Sequence, residues 1–243
     1  MKLIKLSAID STNDFLKTLS TNQELENFTV VTAESQTKGK GQMGAVWITQ
    51  EGKNLILSLF VKETILGIEG VFNLNVAVAV SIIQALETFD IPELSIKWPN
   101  DIMSYNFKIG GILIENNLKS DKSVHSVIGL GLNVNQNDFE NLPKASSLAL
   151  ICKTDFDKEK VLVAIVEKIK QNLSVMHSDL DTIWSSYTDL LFKRGVPMAF
   201  KNNQTNQNFM GIILGVSKQG KVQVQLEDDL IIEYGIKEIQ MLY

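Results

Sequence analysis

An α+β domain followed by a small β appendage is the fold class that this 243-residue sequence predicts. Short apolar runs alternate with polar residues between Leu3 and Val134, as half-buried strands do. Two long stretches, Val71–Phe89 and Lys158–Met176, repeat their apolar residues near the 3.6-residue helical period. After Arg194 only short alternating runs remain, separated by polar turns. A hydrophobic content of 44% with 21% charged residues suits a globular chain.

Taken in order, residues 3–9 read as a first strand. Asp10-Ser11-Thr12-Asn13 then offers N-cap side chains to a helix carrying Phe15, Leu16 and Leu19. Phe28–Ala33 is β-rich, Ser35–Ala45 is a polar, glycine-rich stretch expected to be a mobile loop, and Leu55–Val61 alternates as a strand. Val71–Phe89 is a helix with Val76, Ala79, Val80, Ile83 and Leu86 on its apolar stripe. Leu94–Lys97, Lys108–Asn116 and Val124–Val134 are three strands, antiparallel neighbours because their connections are short. Lys158–Met176 and Leu180–Phe192 are helices. Met198–Phe200, Phe209–Val216, Lys221–Gln225 and Leu230–Tyr234 form a small β-barrel with turns such as Lys218-Gln219-Gly220. The expected units are residues 1–193 and 194–243.

Composition excludes several classes. A net charge of −5 argues against a general nucleic-acid surface. Cys152 is the sole cysteine, so there is no disulfide framework or thiolate cluster. His125 and His177 are too few for a histidine metal site and read as surface or packed residues. The N-terminal residues reach Asp10 before a signal-like apolar core forms. The most apolar segment, Leu74–Leu86, is interrupted by Asn75, Ser81 and Gln84 and is too short to span a bilayer. A cytoplasmic protein is expected, with neither nucleic acid nor membrane as partner.

Three polar clusters carry chemistry. Lys97-Trp98-Pro99-Asn100-Asp101-Ile102, with Lys108-Ile109-Gly110-Gly111-Ile112-Leu113-Ile114-Glu115, gathers two lysines, an Asn-Asp pair and a double glycine around one short connection. Pro99 cannot donate to a ladder and biases Trp98 toward extended backbone, so the polar residues are expected on a turn at strand ends. Such convergence suits a carboxylate or phosphate; an ordinary polar hairpin is the other reading. Gly39-Lys40-Gly41-Gln42-Met43-Gly44 matches G-x-G-x-x-G, but a dinucleotide site needs a helix opening at that loop. Ala45-Val46-Trp47-Ile48 follows instead, so that reading fails. What remains is a loop able to fold over an anion with Trp47 stacked on a base, or a plain surface loop with Trp47 as core anchor. Glycines in Gly129-Leu130-Gly131-Leu132-Asn133-Val134-Asn135 mark either a close ligand approach or a bulge.

Together, Asp10-Ser11-Thr12-Asn13, Glu34-Ser35-Gln36 leading into Gly39–Trp47, the KWPND and GGILIE block, and Gly129–Asn135 resemble the biotin protein ligase family over roughly residues 7–135. The form implied is monofunctional, without an N-terminal DNA-binding domain, because Ser11-Thr12-Asn13 begins ten residues from the start. The resemblance implies a class II synthetase-like mixed sheet with flanking helices, followed by an SH3-like β-barrel. It also implies a ligase that joins biotin and Mg-ATP into biotinyl-5′-AMP and transfers biotin to a lysine of a biotin carboxyl carrier protein. By that carry-over Ser11, Thr12 and Gln36 hold the ureido head, with Asn13 beside them. Lys40, Gly41, Gln42, Lys108 and Gly111 contact biotin further along. Gly39, Lys40, Trp47, Asn100 and Asn133 lie at the nucleotide. Lys108, Asp101 and Lys40 are the catalytic groups, Asp101 as the acceptor of the carrier lysine's proton. No metal ligand is assigned, and the family is compatible with a homodimer.

This chain departs from the family pattern in its loop. Lys40 and Gln42 stand where many members have arginines, which loses bidentate phosphate geometry and one charge. No arginine follows Arg194, where some members have a nucleotide contact. Two rivals are a lipoate ligase or octanoyl transferase of the same fold, and a biotin-binding sensor with little catalysis.

Overall fold

The computed structural model describes residues 2–62, 70–118, 124–140, 142–176 and 178–243. His177 lies outside them. In the first half β1 (Leu3–Ile9), α1 (Thr12–Asn22), β2 (Val30–Gln36), β3 (Leu55–Lys62) and α2 (Gly70–Glu87) follow in order. Next come β4 (Leu94–Lys97), β5 (Asp101–Ser104), β6 (Phe107–Leu118) and β7 (Val124–Leu132). Three helices, α3 (Leu148–Cys152), α4 (Lys158–Val175) and α5 (Leu180–Asp189), precede a second sheet. That sheet contains β8 (Pro197–Asn202), β9 (Asn208–Val216), β10 (Val222–Leu226), β11 (Ile231–Tyr234) and β12 (Ile239–Leu242).

The first sheet is mixed, in the order β1-β2-β3-β7-β6-β5-β4, with β1 and β2 parallel across α1 and the remaining pairs antiparallel. Helices α2, α4 and α5 pack one face into the main core, whereas Leu16 of α1 joins Val31, Phe60 and Val127 in a smaller cluster. The mixed sheet with flanking helices matches the expected fold class. The C-terminal sheet is antiparallel, in the order β11-β10-β9-β8-β12.

Several boundaries are corrected. The second strand starts at Val30 rather than Phe28, because Phe28 has φ 63° and Thr29 closes a turn onto Glu26. It runs on to Gln36, into the expected loop, because β1 pairs with Ser35 and Gln36. Leu55–Val61 does not alternate in burial: every residue is buried, since helices cover both faces of this central strand. The turn after Lys97 holds only Trp98, Pro99 and Asn100; Asp101 opens β5, a strand not expected, which separates β4 from β6. The last helix ends at Asp189, and Leu190–Phe192 instead pairs with Ile96 on β4. Helix α3 and strand β12 were also not expected.

Helix α2 is longer than the segment judged too short for a bilayer. Its 18 residues are long and apolar enough to cross one, but 67% of them are buried inside the protein. Its apolarity is that of a core helix packed between the sheet and α4.

Candidate active site

Register across the first sheet builds the site. Ile56, Gly131, Gly111, Asp101 and Lys97 are aligned on neighbouring strands β3, β7, β6, β5 and β4 and share one face. Two adjacent glycines in that row leave a trough between Ile56 and Asp101. Trp47 lies in it: a Cβ built on Gly131 would run into the indole, and one on Gly111 would meet the ring at 3.5 Å. The indole Nε1 is buried without a hydrogen-bond partner.

Lys108 reaches the same face through a β-bulge. Residues three apart on a regular strand point to opposite faces, which would send Lys108 away from Gly111. The register shift opposite Ile102 and Met103 inserts Ile109, so Lys108 pairs with Met103 and shares a face with Asp101. Its ammonium then sits 2.6 Å from Asp101 Oδ1, while Lys97 binds Asp101 Oδ2 at 3.2 Å. Lys108 Nζ also stands 5.5 Å from the Trp47 ring centroid. Asn100 is tied down by its amide, which donates to the Ile112 carbonyl at 2.6 Å.

Residues 39–47 form a small hairpin rather than an irregular loop. Trp47 N–H donates to the Gly39 carbonyl and Gly41 N–H to the Ala45 carbonyl. Met43 and Gly44, with φ of 55° and 81°, make the tight turn, where glycine relieves the left-handed strain. Lys40 pairs with Asp14 of α1 at 2.5 Å. Partial burial raises the Asp14 carboxyl, but hydrogen bonds from Lys40 and Lys17 outweigh that and hold it below its usual value.

A cavity of about 470 Å³ opens beside the trough, between the hairpin, β4–β6 and the C-terminal sheet. It brings together Lys40, Gly41, Gln42, Trp47, Asn100, Asp101, Lys108 and Gly111 of the expected site. Lys97, Lys144, Lys237 and the terminal Tyr243 line it as well; apart from Lys97 they carried no sequence signal. Lys144 Nζ lies 4.1 Å from the Tyr243 ring centroid. Burial raises the Tyr243 hydroxyl above its usual range, and the Asp101 charge adds to this.

The other expected residues lie outside the cavity. Thr12 donates from its N–H and hydroxyl to Gln36 Oε1 at 2.8 and 3.1 Å. The Ser58 hydroxyl bridges Thr12 Oγ1 and Asn13 Oδ1, and Asn13 Nδ2 donates to Glu115 at 2.8 Å. This cluster borders Gly129, two residues along β7 from the indole-covered Gly131; a Cβ at Gly129 would come 2.5 Å from Asn13 Oδ1. Ser11 is buried and caps α1, its hydroxyl accepting from the Asp14 N–H. Gly39 lies at the hairpin root. Asn133 is buried beyond β7, donating to the Ser146 carbonyl at 3.0 Å. His125 packs edge-on against Phe60, as a packed histidine.

The biotin/lipoate A/B protein ligase family matches residues 6–133. The bifunctional ligase/repressor BirA of Bacillus subtilis is 29% identical over 98% of this chain and 71% of its own length. The biotin–[acetyl-CoA-carboxylase] ligase of Mycobacterium tuberculosis is 27% identical over 67% of this chain and 60% of its own. Among solved structures, the biotin protein ligase of Aquifex aeolicus in complex with biotin and ATP superposes with a TM-score of 0.81 at 26% identity, covering 99% of this chain and 98% of that one.

Proposed function

This chain belongs to the biotin/lipoate A/B protein ligase family, and on that premise we propose that it is a biotin protein ligase. With ATP it forms biotinyl-5′-AMP and then passes the biotinyl group to one lysine of a biotin carboxyl carrier protein. The observation that carries this reading is the glycine trough holding the Trp47 indole, beside the Lys108–Asp101 pair at the edge of a lysine-lined cavity. Glycines on adjacent strands let flat or apolar groups lie close against the backbone, and the ammonium groups beside them suit a carboxylate meeting a phosphate.

In the first step a biotin carboxylate oxygen bonds to the α-phosphorus, the bond to the pyrophosphate oxygen breaks, and pyrophosphate leaves. Lys108, Lys97 and Lys40 reduce the repulsion between the two anions and stabilise the charge developing on phosphorus. Mg²⁺ is read as part of the nucleotide substrate; among the described residues no cluster of three His, Cys, Asp or Glu stands ready to hold it. Thr12, Gln36 and Asn13, with Ser11, hold the ureido head beyond Gly129. Gly41 and Gln42 cover biotin from the hairpin. Gly39, Trp47, Asn100 and Asn133 frame the nucleotide, Asn100 and Asn133 through the backbone they brace.

In the second step the carrier lysine, with an ordinary pKa of about 10.4, loses a proton before its nitrogen attacks the carboxyl carbon and AMP leaves. We read Asp101, a carboxylate lining the cavity and ion-paired with Lys97 and Lys108, as the group that takes that proton. Asp101→Asn is expected to slow acyl transfer from preformed biotinyl-AMP at least tenfold; transfer at the wild-type rate removes this role. We read residues 1–193 as the catalytic unit and 194–243 as a small β unit that closes the cavity, in a cytoplasmic protein without a nucleic-acid ligand.

The deciding experiment incubates the protein with ATP, a carrier domain, and radiolabelled biotin or lipoate. Label from biotin on the carrier lysine supports the ligase. Label from lipoate alone, or biotin binding without transfer, overturns it.

A further inference from the structure

The hairpin of residues 39–47 is too short to hold its shape alone, since an isolated two-stranded hairpin is marginal in water. Besides Trp47 in the trough, two side-chain contacts pin it from opposite sides. On one side Lys40 pairs with Asp14 in the first turn of α1 at 2.5 Å. Asp14 is itself held by Lys17 at 2.9 Å, and Lys17 by Glu115 of β6 at 2.7 Å. On the other side the Lys237 ammonium donates to the Met43 carbonyl, at the hairpin tip, at 2.6 Å. Lys237 lies in the turn between β11 and β12, at φ 65°. That turn is braced as well: Asn203 Nδ2 donates to the Lys237 carbonyl at 2.7 Å, and Gly235 N–H to Glu238 at 2.7 Å.

We infer that Asp14 and Lys237 are positioning residues that latch the hairpin over the reaction cavity, one from α1 and one from the C-terminal sheet. The inference rests on the ligase reading above and extends it to how the intermediate is kept from water. Neither residue touches the reacting atoms in this role. The Asp14 carboxylate is held by Lys17, and the backbone of the turn that carries Lys237 is braced by Asn203 and Glu238, so both latch points start from fixed positions. Lys237 also supplies, from the last turn of the chain, a cation beside a hairpin that has glutamine at position 42.

The expected consequence is leakage when a latch is cut. An acyl-adenylate exposed to solvent hydrolyses: the oxygen of water bonds to the carboxyl carbon, the bond to the phosphate oxygen breaks, biotin and AMP leave, and a proton passes to solvent. The readout is AMP released per carrier lysine biotinylated, close to one when the intermediate is retained. Each contact is partly exposed and individually weak, so Asp14→Asn or Lys237→Met is expected to raise the ratio about two- to fivefold, and the double variant more. Lys237→Arg, which keeps a donor, restores the wild-type ratio. Amide hydrogen exchange of residues 39–47 is expected to quicken in both single variants, with the rest of the chain unchanged. An unchanged ratio and unchanged exchange in both variants overturn the latch. If the wild type makes no biotinyl-AMP, the ligase reading fails instead, and exchange alone then decides whether the two contacts hold the hairpin.

Discussion

At the scale of single residues, much of the site depends on side chains that are missing. Gly131 makes room for the Trp47 indole, and the overlap of a built Cβ is with a side chain rather than with backbone. Gly131→Ala therefore pushes the indole off the trough, while the strand itself tolerates the methyl; on the proposed reading this disturbs the biotin side of the site. We expect the KM for biotin to rise roughly tenfold with the melting temperature within a few degrees of wild type; an unchanged KM would take biotin out of the trough. Tyr187 is the opposite case, a buried hydroxyl without a partner whose pKa is pushed well above its ordinary value by desolvation. The unfolded chain loses that proton near pH 10 while the folded chain keeps it. Its contribution is therefore complete below about pH 10 and lost as pH rises beyond that value. Denaturant midpoints are expected to fall above about pH 10 less steeply for Tyr187→Phe than for wild type, and Phe should be no less stable at neutral pH.

At the scale of elements, the cap of α1 carries two readings that substitutions can separate. Ser11 accepts from the Asp14 N–H, and it heads the segment that places Thr12, Asn13 and Asp14. Ser11→Ala removes the cap, at about 0.5–2 kcal/mol, whereas Ser11→Gly loses only a few tenths. If Ser11 also meets biotin, both variants raise the KM for biotin equally although only Ala lowers the melting temperature. A KM that follows stability instead confines Ser11 to the cap. The same segment shows what was legible in the sequence. Ser11-Thr12-Asn13 before Phe15 and Leu16 announces a helix start, and the Gly111 and Gly131 pattern announces close approach, because both signals are local. Strand β5 was hidden because Asp101–Ser104 is four residues long and begins with the site's own aspartate. The bulge at Ile109 that turns Lys108 toward Asp101 exists only in the pairing with β5. Lys144, Lys237 and Tyr243 were equally silent: nothing in the residues around them shows that a distant sheet folds back over β4–β6.

At the scale of the molecule, two sheets meet over one concentration of positive charge. Trp98, which carried no chemistry in the sequence, ties them together by donating from Nε1 to the Gly220 carbonyl at 2.9 Å. Gly220 in turn packs so tightly on Phe72 of α2 that a Cβ would come within 2.5 Å of the ring. The cavity so enclosed is lined by five lysines and one aspartate, in a chain whose net charge is −5. Its field therefore opposes that of the rest of the surface and draws anions to one place. The triphosphate of ATP bears several charges, whereas biotin has one carboxylate and a neutral head. Screening shortens the reach of such interactions from about 10 Å at 0.1 M salt to about 3 Å at 1 M. Raising sodium chloride from about 0.05 to 0.5 M is accordingly expected to raise the KM for ATP roughly three- to tenfold and that for biotin less than about twofold, with kcat nearly constant. Lys144→Met should flatten the ATP dependence without altering that for biotin. Equal salt responses for the two substrates would mean that the lysine-lined cavity is not where the phosphates lie.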